Sequence, residues 1–170
     1  MRHRPLPPLE ELKEFLDYNP DTGIFTWIKK PSRRVKVGQV AGRFNGNGYL
    51  RIKFKGIDYF AHRLAYYMYH GVDPLGKCID HIDGDKANNK IDNLRLASYV
   101  QNQMNRVNLL SNNTSGITGV YWHKKLKKWM ATIQVNKVYK YLGLFTNKED
   151  AIKVRREAEI KYFGEFRRQD

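Results

Sequence analysis

Ile79-Asp80-His81-Ile82-Asp83-Gly84-Asp85, followed by Asn88-Asn89, Asn93 and Asn102, is the stretch on which the reading of this chain turns. Asp73 to Asn93 holds five Asp against three Lys, inside a protein whose formal net charge is +14. Bare carboxylates repel a polyanion, so a basic protein gains nothing by concentrating them unless they hold a cation. A divalent ion neutralises such oxygens and draws in a phosphodiester. An Asp-His pair beside carboxamides therefore points to metal-assisted phosphodiester hydrolysis. Neutral imidazole accepts a proton from water near pH 7. Asp and Asn together offer two oxygen donors with one negative charge, which leaves room for phosphate. Asp83-Gly84-Asp85 on its own reads as a turn. A calcium loop of the helix–loop–helix kind is excluded, because no Glu follows at the position that loop needs.

Around Asp80-His81 the pattern reads as a short strand followed by a polar turn. A second segment returns through Ile91 and Leu94, and Ser98 opens a helix with Gln101 as its capping-box partner. Asn102 falls on the first turns of that helix. Upstream, Leu9, Leu12, Phe15 and Leu16 recur at helical spacing, and Asn19-Pro20-Asp21-Thr22-Gly23 signals a turn into a strand at Ile24–Ile28. A Gly/Asn-rich loop from Gly42 to Gly48 leads to a hairpin, Tyr49–Phe54 and Ile57–Ala61, turning at Lys55-Gly56. His62 to Tyr69 reads as a helix, with His62 in a capping or structural role. Asn88 and Asn89 read as turn residues and Cys78 as a packing residue.

Composition agrees with a nucleic-acid partner. Lys and Arg number 31 against 17 Asp and Glu, a balance that gives strong, salt-sensitive attraction to a polyanion. The lone cysteine excludes an internal disulfide framework and a multi-cysteine zinc knuckle. No run approaches the roughly 20 apolar residues that span a bilayer, and the N-terminal residues do not read as a signal peptide. The expectation is a protein of the cytosol, the host's if phage-encoded, with no membrane partner.

Residues 108–116 read as a linker, and the composition shifts beyond it: residues 106–170 hold 14 Lys and Arg and 6 Asp and Glu. Three strands are expected over 119–123, 128–135 and 138–145. In the middle one Trp129, Ala131, Ile133 and Val135 share one face, and Lys128, Met130, Thr132 and Gln134 the other. Thr146 and Glu149 read as a capping box. Ala151, Val154, Ala158 and Tyr162 give the following helix an apolar face, with Gly164 as its stop. A three-stranded sheet backed by one helix leaves its outer face exposed.

Residues 61–105, from His62-Arg63-Leu64 through Asp80-His81, Asn93-Leu94-Arg95 and Asn102, resemble the HNH homing endonucleases of phages and prophages. Residues 115–166, with Gly119-Val120, Trp129, Tyr141-Leu142-Gly143-Leu144-Phe145 and Ala151, resemble the ethylene-response-factor (APETALA-two type) DNA-binding domain. The first resemblance implies a ββα-metal fold. In it His81 activates water, Asp80 and Asn102 hold one divalent metal ion (magnesium, with manganese as an alternative), and Asn93 braces the loop and orients His81. The second implies that Tyr121, His123, Thr132, Gln134, Tyr139 and Tyr141 face DNA. The Lys124, Lys125, Lys127 and Lys128 run reads as phosphate contacts, a solvated hairpin turn being the alternative. The chain departs from the plant pattern, which places several Arg and Trp on that face, so the plant sequence preference is not expected.

The expected architecture is α+β: a nuclease domain over 1–107, a linker over 108–116 and a sheet-plus-helix domain over 117–170. The expected function is a metal-dependent endonuclease acting on double-stranded DNA as a monomer and nicking one strand, since one such site and no repeat of it is present. A catalytically silent DNA-binding regulator is the rival from another class. An RNA-binding protein is a second, disfavoured by the lack of an aromatic RNA-binding motif.

Overall fold

The computed structural model describes residues 5–105 and 113–167. It divides into two compact units, Met1–Asn102 and Gln103–Gln169, each with its own hydrophobic core.

The first unit opens with α1 (Leu9–Phe15) and a hairpin of β1 (Leu16–Asn19) and β2 (Ile24–Trp27). Leu16, expected in the helix, has extended backbone and pairs with Trp27. Both conformations bury a leucine four residues after Leu12, so apolar spacing alone does not choose between them. The hairpin turn is built by Asn19, whose Oδ1 accepts the N–H groups of Asp21 and Thr22, both at 3.0 Å. This is the local bonding that makes Asn a turn residue.

β3 (Arg43–Phe44), β4 (Leu50–Phe54) and β5 (Ile57–Phe60) form an antiparallel sheet in that order. β3 lies inside the stretch expected to be a loop and pairs Phe44 with Leu50. Lys55 and Gly56 both have positive φ, the geometry of a two-residue hairpin turn. α2 (Ala61–His70) follows directly. Leu12, Leu16, Phe25, Ile52, Phe54 and Leu64 meet in the core with at most 1% exposure. Each contributes roughly 1.5–3 kcal/mol relative to an exposed position. Against this core lie β6 (Cys78–His81) and β7 (Leu94–Ala97), an antiparallel pair, and after them α3 (Tyr99–Met104).

The second unit is an antiparallel sheet of β8 (Val120–His123), β9 (Lys128–Val135) and β10 (Val138–Phe145), with β9 central, and one helix, α4 (Lys148–Phe163). Val120, Ala131 and Ala151 are fully buried between sheet and helix. Two details differ from expectation. The N-cap of α4 is Asn147, not Thr146, and its side chain makes no capping bond to the backbone. Buried on the helix face with Ala151 and Ala158 is Arg155, while Val154 is only half-buried. Arg155 Nε donates to the Thr118 carbonyl at 2.7 Å, and its Nη2 pairs with Glu159 at 2.9 Å. Two of its three nitrogens are thus paired, which offsets much of the cost of a charge at a core position, while Nη1 is buried with no hydrogen-bond partner among the described residues. Of the expected linker, residues 108–112 lie outside the described residues. Asn113–Gly116 forms a bonded turn: Asn113 Oδ1 accepts from the Ser115 and Gly116 N–H groups at 3.0 and 2.8 Å, and Ser115 Oγ donates to the Val120 carbonyl at 2.6 Å. Among the described residues no helix is long and apolar enough to cross a membrane.

Candidate active site

Asp80 and His81 end strand β6, both about 5% exposed or less. The antiparallel register sets Asp80 opposite Arg95 and His81 opposite Leu94. Arg95 turns this register into a charge pair: its Nε and Nη2 donate to Asp80 Oδ2 at 3.0 and 2.8 Å. A buried carboxylate is costly unless a positive charge accompanies it. Arg95 supplies the positive charge that accompanies this buried carboxylate.

The polar turn after β6 is held by Asn93. Its Oδ1 accepts the Asp83 N–H at 3.0 Å, and its Nδ2 donates to Asp83 Oδ1 and to the Asn88 carbonyl, both at 2.9 Å. The Asn93 carbonyl accepts the Ile82 N–H at 2.9 Å. The turn's carboxylate is further held by Asn88, whose Nδ2 donates to Asp83 Oδ2 at 2.7 Å. Burial pushes the Asp83 carboxyl up, but the donors Asn88, Asn93 and the Asp85 N–H, with His81 nearby, outweigh it and hold the carboxyl below its usual range.

The imidazole itself is met by Asn89 rather than Asn93. His81 Nε2 lies 3.4 Å from Asn89 Oδ1, and Asn89 is 2% exposed. Sequence reasoning assigned Asn89 to a turn. The dipeptide Asn88-Asn89 offered no signal to separate an exposed turn residue from a buried partner. Two rings meet His81, and a third packs behind them. His62 meets His81 edge-on with centroids 5.1 Å apart, Tyr49 lies at 6.1 Å, and Phe60 stacks on His62 at 5.3 Å. His62 was expected to cap or support α2, and it is buried against this imidazole. Burial dominates the titration of His81 and pushes its pKa below the ordinary histidine value, against opposing effects from Asn89, Asp83, Asp80 and Asp85. The ring is therefore neutral near pH 7, the form that accepts a proton. Lys86 closes the turn toward β4: its ammonium donates to the Asn47 carbonyl at 3.0 Å and lies over the Tyr49 ring.

Asn102 lies in α3, directly after the β6–β7 hairpin. The expected capping box forms there, with the Ser98 N–H donating to Gln101 Oε1 at 2.7 Å and the Gln101 N–H to Ser98 Oγ at 3.2 Å. The Asn102 N–H donates to the Ser98 carbonyl at 3.0 Å, which fixes it on the first turns of the helix. Among the described residues no three His, Cys, Asp or Glu side chains cluster so as to hold a metal ion. Asp80 and Asn102 would offer one carboxylate and one carboxamide oxygen, donors of the type that suits a hard cation keeping most of its shell as water.

The residues expected to face DNA share one side of the second unit's sheet. Tyr121 pairs with Met130, His123 with Lys128, Thr132 with Tyr141 and Gln134 with Tyr139. Partners directly opposite in an antiparallel ladder point to the same face. Tyr121, Tyr139 and Tyr141 are exposed there, and Lys124, Lys125 and Lys127 are exposed in the β8–β9 turn. His123 is half-buried, its Nδ1 accepting the Leu126 N–H at 3.2 Å.

Residues 59–104 match the family model of the HNH endonucleases. The matched segment runs from the end of β5 through α3 and contains Asp80, His81, Asn93 and Asn102. The chain is also similar to Protein 3.8 of Escherichia phage T7, with 42% identity over 64 residues, 38% of this chain and 52% of that protein. The chain thus spans about half the length of that relative. No solved structure matches. The β8–β10 sheet and α4 of the second unit lie outside the HNH match.

Proposed function

We propose that the protein is a metal-dependent endonuclease that hydrolyses phosphodiester bonds of duplex DNA. The observation that carries this reading is the buried Asp80–His81 pair at the end of β6, in an antiparallel hairpin followed by the helix of Asn102, all within the HNH-matched segment. In this reading β6, β7 and α3 are the ββα-metal unit. His81 takes the proton from the attacking water, its neutral form favoured by burial. Asp80 and Asn102 would hold one divalent ion, magnesium or manganese. When bound, the ion stabilises charge on the leaving 3′-oxygen. Asn93 keeps the turn in shape so that His81 and Asp80 stay fixed on their strand end. Arg95 balances the Asp80 charge and limits the freedom of its carboxylate. The products are a 5′-phosphate and a 3′-hydroxyl, as the resemblance implies.

The second unit is read as the DNA-docking part. The tyrosine-bearing face, with His123, Thr132 and Gln134, lies along the groove, and Lys124, Lys125, Lys127 and Lys128 contact phosphate. Support comes from the exposure of that face and from the basic composition of the unit. The likeness to the ethylene-response-factor domain rests on the sequence and on the observed order of three antiparallel strands and one helix. With one HNH site in the chain, the enzyme acts as a monomer in the manner of homing endonucleases and nicks one strand.

Supercoiled plasmid incubated with magnesium tests this directly. Open circles should accumulate ahead of linear product, chelator should stop the reaction, and His81→Ala should slow it by about 10²–10⁴-fold while keeping DNA binding. A wild-type protein that binds plasmid but leaves it intact with magnesium or manganese would establish the silent regulator instead. Immediate linear product with a dimer mass in solution would make the protein a double-strand cutter.

A further inference from the structure

We infer that Asn89 is the positioning residue for His81, and that the β1–β2 hairpin, outside the HNH-matched segment, holds Asn89 in place. The inference rests on the nuclease reading for its consequence in cutting, and on geometry alone for its direction.

The Asn89 side chain has one orientation available to it. Its Nδ2 donates to the Ala87 carbonyl at 3.0 Å, so Oδ1 is the atom turned to the imidazole. An amide oxygen only accepts. The imidazole nitrogen facing it, Nε2, must therefore carry the proton, which puts the basic lone pair of neutral His81 on Nδ1. A histidine base works through one nitrogen, and the bond made by the other decides which. Asn89 thus selects the tautomer and pins the ring plane.

Asn89 is in turn held from the N-terminal side of the chain. The Tyr18 hydroxyl donates to the Asn89 carbonyl at 2.8 Å. Burial, with Asp92, Tyr69 and Asp21 nearby, pushes the Tyr18 hydroxyl's pKa up, so the donor keeps its proton. The Ile91 N–H donates to the Pro20 carbonyl at 3.0 Å. Gly23, at φ +72°, lies so close that a Cβ there would sit 2.6 Å from both the Asn89 carbonyl carbon and the Lys90 nitrogen. Backbone cannot yield at that distance without moving the turn. The tip of the hairpin is therefore a clamp on residues 89–91, and the hairpin is part of the apparatus that orients the base.

Nitrogen-15 NMR of the imidazole reads the tautomer directly in the full-length protein. At pH 8.5, with the His81 signals assigned by their loss in His81→Ala, the wild type should show a protonated Nε2 and an unprotonated Nδ1. Asn89→Ala should mix the tautomers and lower kcat by about 10- to 100-fold, with KM for plasmid unchanged. Asn89→Asp keeps the acceptor and should restore the Nε2–H tautomer. Gly23→Ala, whose Cβ would press on the Asn89–Lys90 backbone, should shift the same signals although residue 23 lies outside the HNH-matched segment. A wild-type spectrum with the proton on Nδ1 overturns the inference while leaving the nuclease reading intact, and needs no variant to fold. An Asn89→Ala protein with wild-type tautomer and rate overturns it as well. Wild-type protein with the Nε2–H tautomer that cuts nothing overturns the nuclease reading and the role in cutting with it.

Discussion

Asn93→Ala separates a bracing role from a role at the imidazole. The substitution removes three hydrogen bonds of 2.9–3.0 Å: one accepted from the Asp83 N–H, one donated to the Asp83 carboxylate and one donated to the Asn88 carbonyl. A neutral bond contributes about 0.5–1.5 kcal/mol net and one to a charged group about 1.5–3, which gives an upper bound of about 6 kcal/mol for all three. Asp83 is exposed, so water replaces part of these bonds, and the expected cost is about 1–3 kcal/mol. The backbone bond from Ile82 to the Asn93 carbonyl survives the substitution. For a unit of about 100 residues, each 1 kcal/mol lowers Tm by roughly 4–8 °C. Thermal unfolding of the variant should therefore come several degrees early. Its cutting rate should fall as the turn loses its geometry, with DNA binding retained. Lowering the temperature should recover part of the rate. A variant with wild-type Tm and rate refutes the brace. One with wild-type Tm and a rate abolished at every temperature refutes it differently, by making Asn93 a residue of the chemistry itself.

Three further outcomes are expected. Asp80→Ala and Asn102→Ala should both weaken metal binding in a calorimetric titration, with added metal rescuing Asn102→Ala the more, since a neutral donor contributes less than a carboxylate; unchanged affinity in both removes them as ligands. Changing Lys124, Lys125, Lys127 and Lys128 together to Gln should flatten the salt dependence of duplex binding, the slope of log K against log salt falling by about 0.9 for each phosphate no longer neutralised; an unchanged slope makes that turn a solvated hairpin. Asp83 has a folded-state pKa below its unfolded value, so its stabilising effect is present above the ordinary carboxylate range and is lost as pH falls through the folded value. Acid unfolding of Asp83→Asn should accordingly show a shallower pH dependence than wild type below about pH 4, and an identical curve would show that the carboxylate does not hold the turn.

How much of this the sequence carried depends on whether a residue's role is fixed by its neighbours in the chain or by a partner far from it. Ser98 and Gln101 were legible because a capping box is local, and both bonds form. The alternation in Lys128–Val135 gave the correct buried face because a strand's two sides follow from its period. Leu16 was misread because a helix and a strand both bury it, and only pairing with Trp27 decides. Asn89, Arg95 and Gly23 are a different case. Pairing His81 with Leu94 would have placed Arg95 opposite Asp80 one step further on, so that pairing was within reach of a register argument. The bond from Tyr18 to the Asn89 carbonyl spans 71 residues, and that from the Ile91 N–H to the Pro20 carbonyl as many. No periodicity or spacing encodes such a contact. A segment read as a turn and strand before the nuclease motif is thus physically continuous with it: the glycine that permits the turn at residue 23 is the same glycine that permits the approach to Asn89. Substitution of that glycine is opposed twice, by the left-handed φ of its turn and by the backbone of Asn89 and Lys90 that a Cβ would meet, whereas at Gly56 the left-handed φ acts alone, with open space where a Cβ would go.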